Sequence, residues 1–591
     1  MKPFWRSFWS ASLAIFLIGG VLIVLLLLGI GSAISGLIEP KPFVVKENAV
    51  LHMKLETKIS EVSYAEFDQT SLSLDQGFGL REIKIGLEAA KTDNKIKGVL
   101  LNITNLPAGM ATTEEIRNAI IDFKSSGKFV YAYSEFYSQK AYYLSTAADK
   151  VHLFPQGMLE FKGLGAEIMF FKGAIDKLGL DVQIIRGSNN KFKSAVEPLM
   201  YTSMSAANRE QTMTYINALW NQMLIGVNEK TGVGTNMLNE IADSMYVRSA
   251  KTALAYNLVD ELIYEDELLA ILKEESGTIP GEDLNLVSFK KYASKEAKKS
   301  DRKNENSNIA VVYAVGGIQS GKGNATTIGS ETTAGAIRKA REDAEIKAVV
   351  LRINSPGGSA LASDVIWREV VLTQKVKPII VSMGDVAASG GYYIACAADK
   401  IYAQPNTITG SIGVFGIIPN IGPALEKNFG ITFDRAKTNH HSVLSLNKAL
   451  TEEEKHLIQL GVDDIYNDFT QKVADGREGL EQADVDSIGQ GRVWSGTDAL
   501  RIGLVDELGG IDDAVAYAAQ QANISSYDIK IGVYPAQEQN RLLELMEFLG
   551  EQEVSNETSL KLKLETFIKS MDKITSTQGI QARMPFDIVI E

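Results

Sequence analysis

Short apolar runs alternate with helix-favouring segments through the second half of the chain. Apolar runs of four to eight residues are typical of buried strands, and strands that alternate with helices indicate an α/β fold with a largely parallel sheet. Connections of this kind are right-handed. The pattern predicts three strands and three helices in the order Ile309–Val315, Thr332–Glu342, Ala348–Asn354, Ala362–Gln374, Pro378–Met383 and Gly391–Ala398.

The N-terminus has a different pattern. No residue from Ser7 to Ile38 is charged, and residues 11–34 are almost wholly apolar. As a helix, this run would reach roughly 36 Å, enough to cross a hydrocarbon core of about 30 Å, and it exceeds the usual apolar region of a cleavable signal peptide. Lys2 and Arg6 precede it, which favours a cytoplasmic N-terminus. We therefore expect residues 1–40 to form a stub and a single-pass anchor in a bacterial inner membrane, with the body on the periplasmic side.

The chain also repeats itself at a nearly constant offset. NKIKGVLLNI (94–103) matches AEIKAVVLRI (344–353), and both halves contain a Tyr-Tyr pair followed by Ala-Ala-Asp-Lys and, later, LVDEL. Three matches in one order indicate a tandem duplication. The predicted divisions are an N-terminal repeat over 45–289, a polar linker over 290–307, a C-terminal repeat over 308–535 and a helical tail over 536–591.

Composition narrows the function classes. With 591 residues, 45% of them hydrophobic and 23% charged, the chain is a multidomain globular protein. The net charge of −13 argues against nucleic acid as a partner. A single cysteine, Cys396, excludes a disulfide framework, and the five histidines show no metal-binding motif. We expect no metal and no cofactor.

Two loops of the second repeat carry candidate chemistry. The first, NSPGGS (354–359), follows a predicted strand, and Gly357 and Gly358 could expose backbone N–H groups to an oxyanion. The second, 384–392, leads into a predicted helix and contains Ser389. Each loop also has a plain structural interpretation: a tight turn for the glycines, and a helix cap for the serine.

Comparison of the repeats favours chemistry in the second one. The position that aligns with Ser389 is Gln139, and NSPGG is replaced by TNLPA (104–108) in the first repeat. A serine nucleophile also needs a base. The candidates are His440, His441 or a desolvated lysine, and lowering a lysine pKa from about 10.4 to 7 takes roughly 4.6 kcal/mol, which burial can supply.

The segment 384–414, GDVAASGGYYIACAADKIYAQPNTITGSIGV, together with NSPGGS and KFKSAVEP (191–198), resembles the long, duplicated form of the bacterial signal peptide peptidase A family, also called protease IV. The resemblance implies a membrane-anchored Ser/Lys peptidase that degrades cleaved signal peptides. It also implies a fold similar to Clp protease and crotonase, and a homotetramer. The roles implied are nucleophile for Ser389, base for Lys193, orientation of that lysine for Ser411, and oxyanion hole for Gly357 and Gly358.

Some alternatives remain at this stage. Lys191 would share a face with Lys193 if the segment were a strand, and only the motif match selects Lys193. We interpret His441 as a loop residue. A crotonase-like acyl-CoA hydratase or isomerase, and a membrane-tethered scaffold without activity, are the competing functions. The sequence does not predict which bonds are cleaved.

Overall fold

The computed structural model describes residues 43–68, 73–303, 306–535 and 580–584. The described residues from Glu47 onward belong to one compact unit. Within these ranges we find no helix with the length and apolar character needed to cross a bilayer. The predicted anchor, residues 11–34, lies outside the described residues.

The first repeat is built on a parallel six-stranded sheet. The strands of the first repeat, of which six belong to this sheet, are β1 (Ala49–Met53), β2 (Ile59–Ser60), β3 (Tyr64–Asp68), β4 (Ser73–Gly79), β5 (Ile96–Leu101), β6 (Phe129–Tyr137), β7 (Lys150–Leu159), β8 (Asp181–Arg186), β9 (Glu261–Leu262) and β10 (Leu286–Ser288). The sheet has the order β10-β1-β5-β6-β7-β9, and all neighbours are parallel. Strands β2, β4 and β3 form a small separate sheet.

The second repeat has an equivalent sheet. The strands of the second repeat are β11 (Ile309–Val315), β12 (Gly317–Gln319), β13 (Thr327–Gly329), β14 (Ala348–Ser355), β15 (Gly357–Ser359), β16 (Ile379–Ala388), β17 (Lys400–Ala403), β18 (Ile408–Gly410), β19 (Phe415–Asn420), β20 (Val493–Ser495), β21 (Glu507–Leu508) and β22 (Ile531–Tyr534). The path β22-β11-β14-β16-β17-β21 is parallel throughout, like its counterpart in the first repeat. The shared strand order supports the predicted duplication.

Helices cover these sheets. Those of the first repeat are α1 (Leu80–Thr92), α2 (Met110–Lys124), α3 (Gln139–Ser145), α4 (Lys172–Leu178), α5 (Glu197–Met200), α6 (Ala206–Thr231), α7 (Thr235–Asp243), α8 (Ala250–Ala255), α9 (Glu265–Ser276) and α10 (Phe289–Lys303). Those of the second are α11 (Ser330–Glu342), α12 (Ala360–Gln374), α13 (Gly390–Ala395), α14 (Gly422–Phe429), α15 (Glu452–Gly476), α16 (Gln482–Ile488), α17 (Gly496–Arg501) and α18 (Ile511–Gln521).

Both faces of the second sheet are buried, which explains its nearly continuous apolar strands. Along β14, Val349 and Leu351 belong to one core cluster, whereas Ala348 and Val350 belong to another on the opposite face. The three strands and three helices predicted for this region are all present. Their ends shift by a few residues, and the last helix ends at Ala395 rather than Ala398.

A third sheet joins the two repeats. Its order is β13-β12-β15-β23-β19-β8, where β23 is Ile580–Arg583 near the C-terminus. Strand β8 of the first repeat pairs antiparallel with β19 of the second over six residues. This pairing brings the segment that follows β8 into the second repeat.

The segment 290–307, predicted to be a polar linker, is mostly helical. Helix α10 packs on α1 through Phe289, Tyr292 and Ala293, all at most 1% exposed. A Cβ on Gly86 of α1 would lie 2.6 Å from the Ala293 Cβ, so the two helices approach closely at a glycine. The charged and polar composition of this segment did not predict the packed helix, because a few small and aromatic side chains are sufficient for this contact.

The predicted helical tail, 536–591, also differs where it is described. Residues Ile580–Arg583 form strand β23 rather than a helix, because they pair with β15 on one side and β19 on the other. The remainder of the tail, apart from Met584, lies outside the described residues.

Candidate active site

Ser389 lies between β16 and α13, at the predicted strand-to-helix junction. Its backbone has φ +56° and ψ −114°, a conformation that non-glycine residues seldom adopt, and its N–H donates to the Gly410 carbonyl over 2.8 Å. Such strain is concentrated at functional sites. The side chain makes no capping hydrogen bond to α13. The structure therefore does not support the interpretation of Ser389 as a helix cap.

Lys193 reaches this serine from the first repeat. Its Nζ lies 2.8 Å from Ser389 Oγ and donates to the Ser411 carbonyl oxygen over 2.9 Å. The Lys193 side chain is fully buried, and this desolvation lowers its pKa well below the usual 10.5. Among the described residues no carboxylate forms an ion pair with Lys193 that would restore its charge. The neutral amine is the form that can accept the serine proton.

Ser411 holds the lysine from a second direction. Its Oγ lies 3.0 Å from Lys193 Nζ and donates to the Gly491 carbonyl oxygen over 3.3 Å. Ser411 also has a positive φ of 50°, and its N–H donates to the Arg492 carbonyl over 2.6 Å. With its own proton directed to Gly491, the hydroxyl is free to accept from Lys193.

The backbone around Lys193 is fixed by close packing. A Cβ on Gly491 would lie 2.6 Å from the Lys193 Cα, so only glycine fits there. Gln211 of α6 donates from Nε2 to the Phe192 carbonyl over 3.0 Å and to Ser194 Oγ over 2.6 Å. Sequence reasoning missed Gln211, because an isolated glutamine in a long helix carries no signal of this role.

Lys191 is separated from the site. It is exposed, while Lys193 is buried, because residues 190–193 form a turn rather than a strand. The premise that the two lysines would share one strand face was therefore wrong. In the structure Lys193, and not Lys191, lies beside Ser389.

The glycines of the NSPGGS loop form strand β15 beside Ser389. The Gly357 N–H is already engaged, because it donates to Ser355 Oγ over 3.1 Å. A Cβ on Gly390 would lie 3.0 Å from the Ala582 carbonyl oxygen and 3.1 Å from the Gly358 nitrogen. The Gly358 amide nitrogen and the Ala582 carbonyl oxygen thus lie close together beside Gly390. Gly390 was not predicted as a donor.

The two adjacent histidines lie elsewhere. His440 Nε2 and His441 Nε2 approach the Glu453 carboxylate at 3.4 and 3.5 Å, and the His440 side chain is 74% exposed. The side chains of these three residues lie close enough together to bind one metal ion, but they are at the protein surface. Neither histidine contacts Ser389, whose Oγ contacts Lys193 Nζ and, at 3.5 Å, the Gly413 carbonyl oxygen.

Comparison with known proteins identifies the family of this chain. The model of the family "Peptidase family S49" matches residues 122–278 and 372–525, one segment in each repeat. The chain belongs to peptidase family S49. It is 37% identical to Protease 4 of Salmonella typhi over 460 residues, which is 76% of this chain and 73% of the relative.

Two further relatives cover different shares of this S49 chain. Serine protease SPPA, chloroplastic, of Arabidopsis thaliana is 34% identical over 91% of this chain and 78% of its own length. A putative signal peptide peptidase SppA of Enterococcus faecium is 38% identical over 30% of this chain and 52% of its own length. The S49 chain is therefore a serine protease, and neither an acyl-CoA hydratase nor an inactive scaffold.

The first repeat of this S49 protease has no equivalent serine. Gln139 occupies the aligned position, and its amide donates to the Gly163 carbonyl over 2.9 Å and accepts from the Lys162 N–H over 2.7 Å. The side chain thus fixes a neighbouring loop. The next residue, Lys140, donates to the Ala108 carbonyl in the loop that replaces the glycine turn.

Proposed function

We propose that the chain is a membrane-anchored endopeptidase in which Ser389 is the nucleophile and Lys193 the general base. The observation that carries this proposal is the 2.8 Å contact between Lys193 Nζ and Ser389 Oγ in a fully buried setting. A lysine without a carboxylate partner, desolvated on all sides, loses its proton easily and can then take one from the serine.

The reaction then proceeds by acyl transfer. Lys193 accepts the Ser389 proton as Oγ attacks the peptide carbonyl, and the N–H groups of Gly358 and Gly390 stabilise the oxyanion. The resulting ammonium protonates the leaving amine, and the same lysine activates the water that hydrolyses the acyl-enzyme. In this proposal Ser411 keeps the Nζ directed at Ser389, and Gly357 shapes the turn instead of donating.

Signal peptides are the substrates we propose, because the sequence motifs resemble those of signal peptide peptidase A and a relative has that name. We further propose that each repeat has a Clp protease-like fold, that four protomers associate, and that residues 11–34 hold the body on the periplasmic side of the inner membrane. In spheroplasts an added protease should then digest the body. Protection until the membrane is lysed would contradict this topology.

The dyad is tested with a fluorogenic apolar peptide and a fluorophosphonate probe. Wild-type chain should cleave the peptide and label at Ser389, whereas Ser389→Ala and Lys193→Met should lose cleavage by at least 1000-fold with unchanged circular dichroism. Lys191→Met is the matched control, because the same change two residues away removes only an exposed amine. Full cleavage by Lys193→Met, or loss of cleavage in Lys191→Met, would overturn the assignment.

A further inference from the structure

Two adjacent histidines and one glutamate converge on the surface of the second repeat. His440 and His441 lie in the segment between α14 and α15, and Glu453 lies in the first turn of α15. His440 Nε2 is 3.4 Å from Glu453 Oε2, and His441 Nε2 is 3.5 Å from Glu453 Oε1. The ligand atoms of all three side chains lie within 4.8 Å of one another. Both imidazoles thus face the same carboxylate.

The separations within this cluster suit a shared ion better than direct hydrogen bonds. A hydrogen bond between a charged imidazole and a carboxylate is about 2.7–2.9 Å long, which is shorter than either observed distance. Bonds of about 2.0–2.1 Å place two ligands of a tetrahedral zinc ion about 3.4 Å apart. The planes of the two histidine rings are 84° apart, so each ring can approach an ion from its own direction.

Glu453 differs from the neighbouring glutamates because it has no basic partner. Glu452, Glu453 and Glu454 together begin α15. Glu452 pairs with Lys455 at 2.7 Å, and Glu454 pairs with Lys448 at 2.6 Å. In the described part of the chain, Glu453 forms no ion pair with a lysine or an arginine. A divalent cation between the three side chains would therefore neutralise a carboxylate that otherwise has only the two histidines beside it.

An ion at this point joins two parts of the second repeat. Among the described residues, no helix or strand lies within the segment 430–451 that connects α14 to α15. Helix α15 in turn contacts the end of β8, because Gln459 Nε2 donates to the Arg186 carbonyl over 2.8 Å. The cluster is thus placed to fix an irregular surface segment to a helix that supports the junction of the repeats.

We propose that His440, His441 and Glu453 bind one zinc ion through the two Nε2 atoms and a carboxylate oxygen. Two imidazoles and one carboxylate suit zinc, and the exposed side of the cluster leaves the fourth position to water. The sequence led us to expect no metal, because Glu453 follows His441 by twelve residues and the three residues form no recognised motif. This inference does not depend on the Ser/Lys mechanism.

Isothermal titration calorimetry of the full-length chain with zinc chloride tests this proposal. Wild type should bind one zinc ion per chain, and His440→Ala, His441→Ala and Glu453→Gln should each weaken the affinity by at least about 10-fold. The matched controls are His456→Ala and Glu452→Gln, which make the same changes at neighbouring exposed positions and should bind like wild type. Magnesium chloride should not bind to this site, because magnesium prefers oxygen ligands.

Limited digestion with trypsin tests the link between the segment and α15. Lys437 is exposed within the segment, and zinc should slow cleavage after it in wild type but not in Glu453→Gln. Wild type that binds no zinc, or that binds it no more tightly than Glu453→Gln, would overturn the site. A loss of affinity in Glu452→Gln as large as in Glu453→Gln would also overturn it. Cleavage after Lys437 that is equally fast with zinc bound would overturn the link.

Discussion

Lys193 and Ser389 are 196 positions apart in the sequence, yet their Nζ and Oγ atoms lie 2.8 Å apart across the junction of the two repeats. Each repeat therefore supplies a different half of the proposed Ser/Lys dyad. The pairing of β8 with β19 carries the lysine to the serine, since Lys193 follows β8 by seven residues along the chain. Loss of this junction should abolish activity even where both repeats stay folded.

The first prediction concerns the pH dependence of cleavage. Burial lowers the Lys193 pKa, so the neutral base forms as pH rises through that lowered value, and kcat/KM should increase along one limb. Lys193→Arg should be inactive at every pH below about 12, because a guanidinium keeps its proton. The measurement is a pH–rate profile with the fluorogenic peptide.

The histidine variants are the controls for that profile. His440→Ala and His441→Ala should leave the limb at the same pH, because both rings lie beside Glu453 on the surface. A limb that moves in either variant, or measurable turnover by Lys193→Arg, would assign the base to another group.

Parts of this site could be predicted from sequence and other parts could not. The long motifs around Ser389 and Ser411 and the loss of serine at Gln139 are local signals, so the serine loop was found without the structure. The contact of Gln211 with the lysine segment depends on a helix that folds back over a distant turn. Strand β23 was missed for a similar reason: a short, mixed segment becomes a strand only because two other strands flank it.

The second prediction concerns stability and follows from the same buried lysine. The unfolded chain binds a proton at Lys193 at pH values below about 10.5, whereas the folded chain does not until pH falls below the lowered pKa. Between these limits, the unfolded state holds more protons, so wild-type stability should rise with pH by up to about 1.4 kcal/mol per unit.

Lys193→Met removes this dependence. The variant should be more stable than wild type at pH 7, and its advantage in urea unfolding should shrink as pH approaches 10. Lys191→Met should follow wild type at all pH values, since that lysine is exposed in the folded chain. An advantage that stays constant from pH 7 to 10 would show that Lys193 is charged when buried.

The third prediction concerns a cap between the repeats. Asp385, in strand β16 four residues before Ser389, accepts from the Thr112 N–H over 2.8 Å and from Thr112 Oγ1 over 2.6 Å. Thr112 lies in the first turn of α2, where Gly109 has no capping side chain of its own. Asp385→Ala should therefore cost about 1 kcal/mol of unfolding free energy and reduce cleavage, because the cap anchors the end of β16, which leads to Ser389, to the first repeat.

Two conservative variants separate the parts of this contact. Asp385→Asn keeps an acceptor for the Thr112 N–H and should lose less stability than Asp385→Ala. Thr112→Val keeps the backbone donor and should lose only the hydroxyl bond. Equal unfolding midpoints for Asp385→Ala and wild type in urea would mean that this cap contributes nothing to the junction.

The fourth prediction concerns the buried charge cluster at the same junction. Arg352 of β14 is fully buried, and its guanidinium bonds to Glu61 at 2.8 Å and to Glu115 at 2.6 Å, both from the first repeat. Burial raises the pKa of Glu61, and the attraction of Arg352 only partly offsets this. Burial also acts on Glu115, but there Arg352 and Lys84 outweigh it and lower the pKa.

Arg352→Met should leave two carboxylates buried beside each other and cost about 3–5 kcal/mol of unfolding free energy near neutral pH. The defect should shrink as pH falls toward about 4, because a folded chain that holds a protonated carboxyl binds more protons than the unfolded chain does. Adding Glu61→Gln to Arg352→Met should recover part of the loss, since the amide brings no charge into the interior. The measurement is urea unfolding of wild type, Arg352→Met and the double variant at pH 4.5 and 7.5. A defect of equal size at both pH values would show that packing of the Arg352 side chain, rather than its charge, holds the two repeats together at this point.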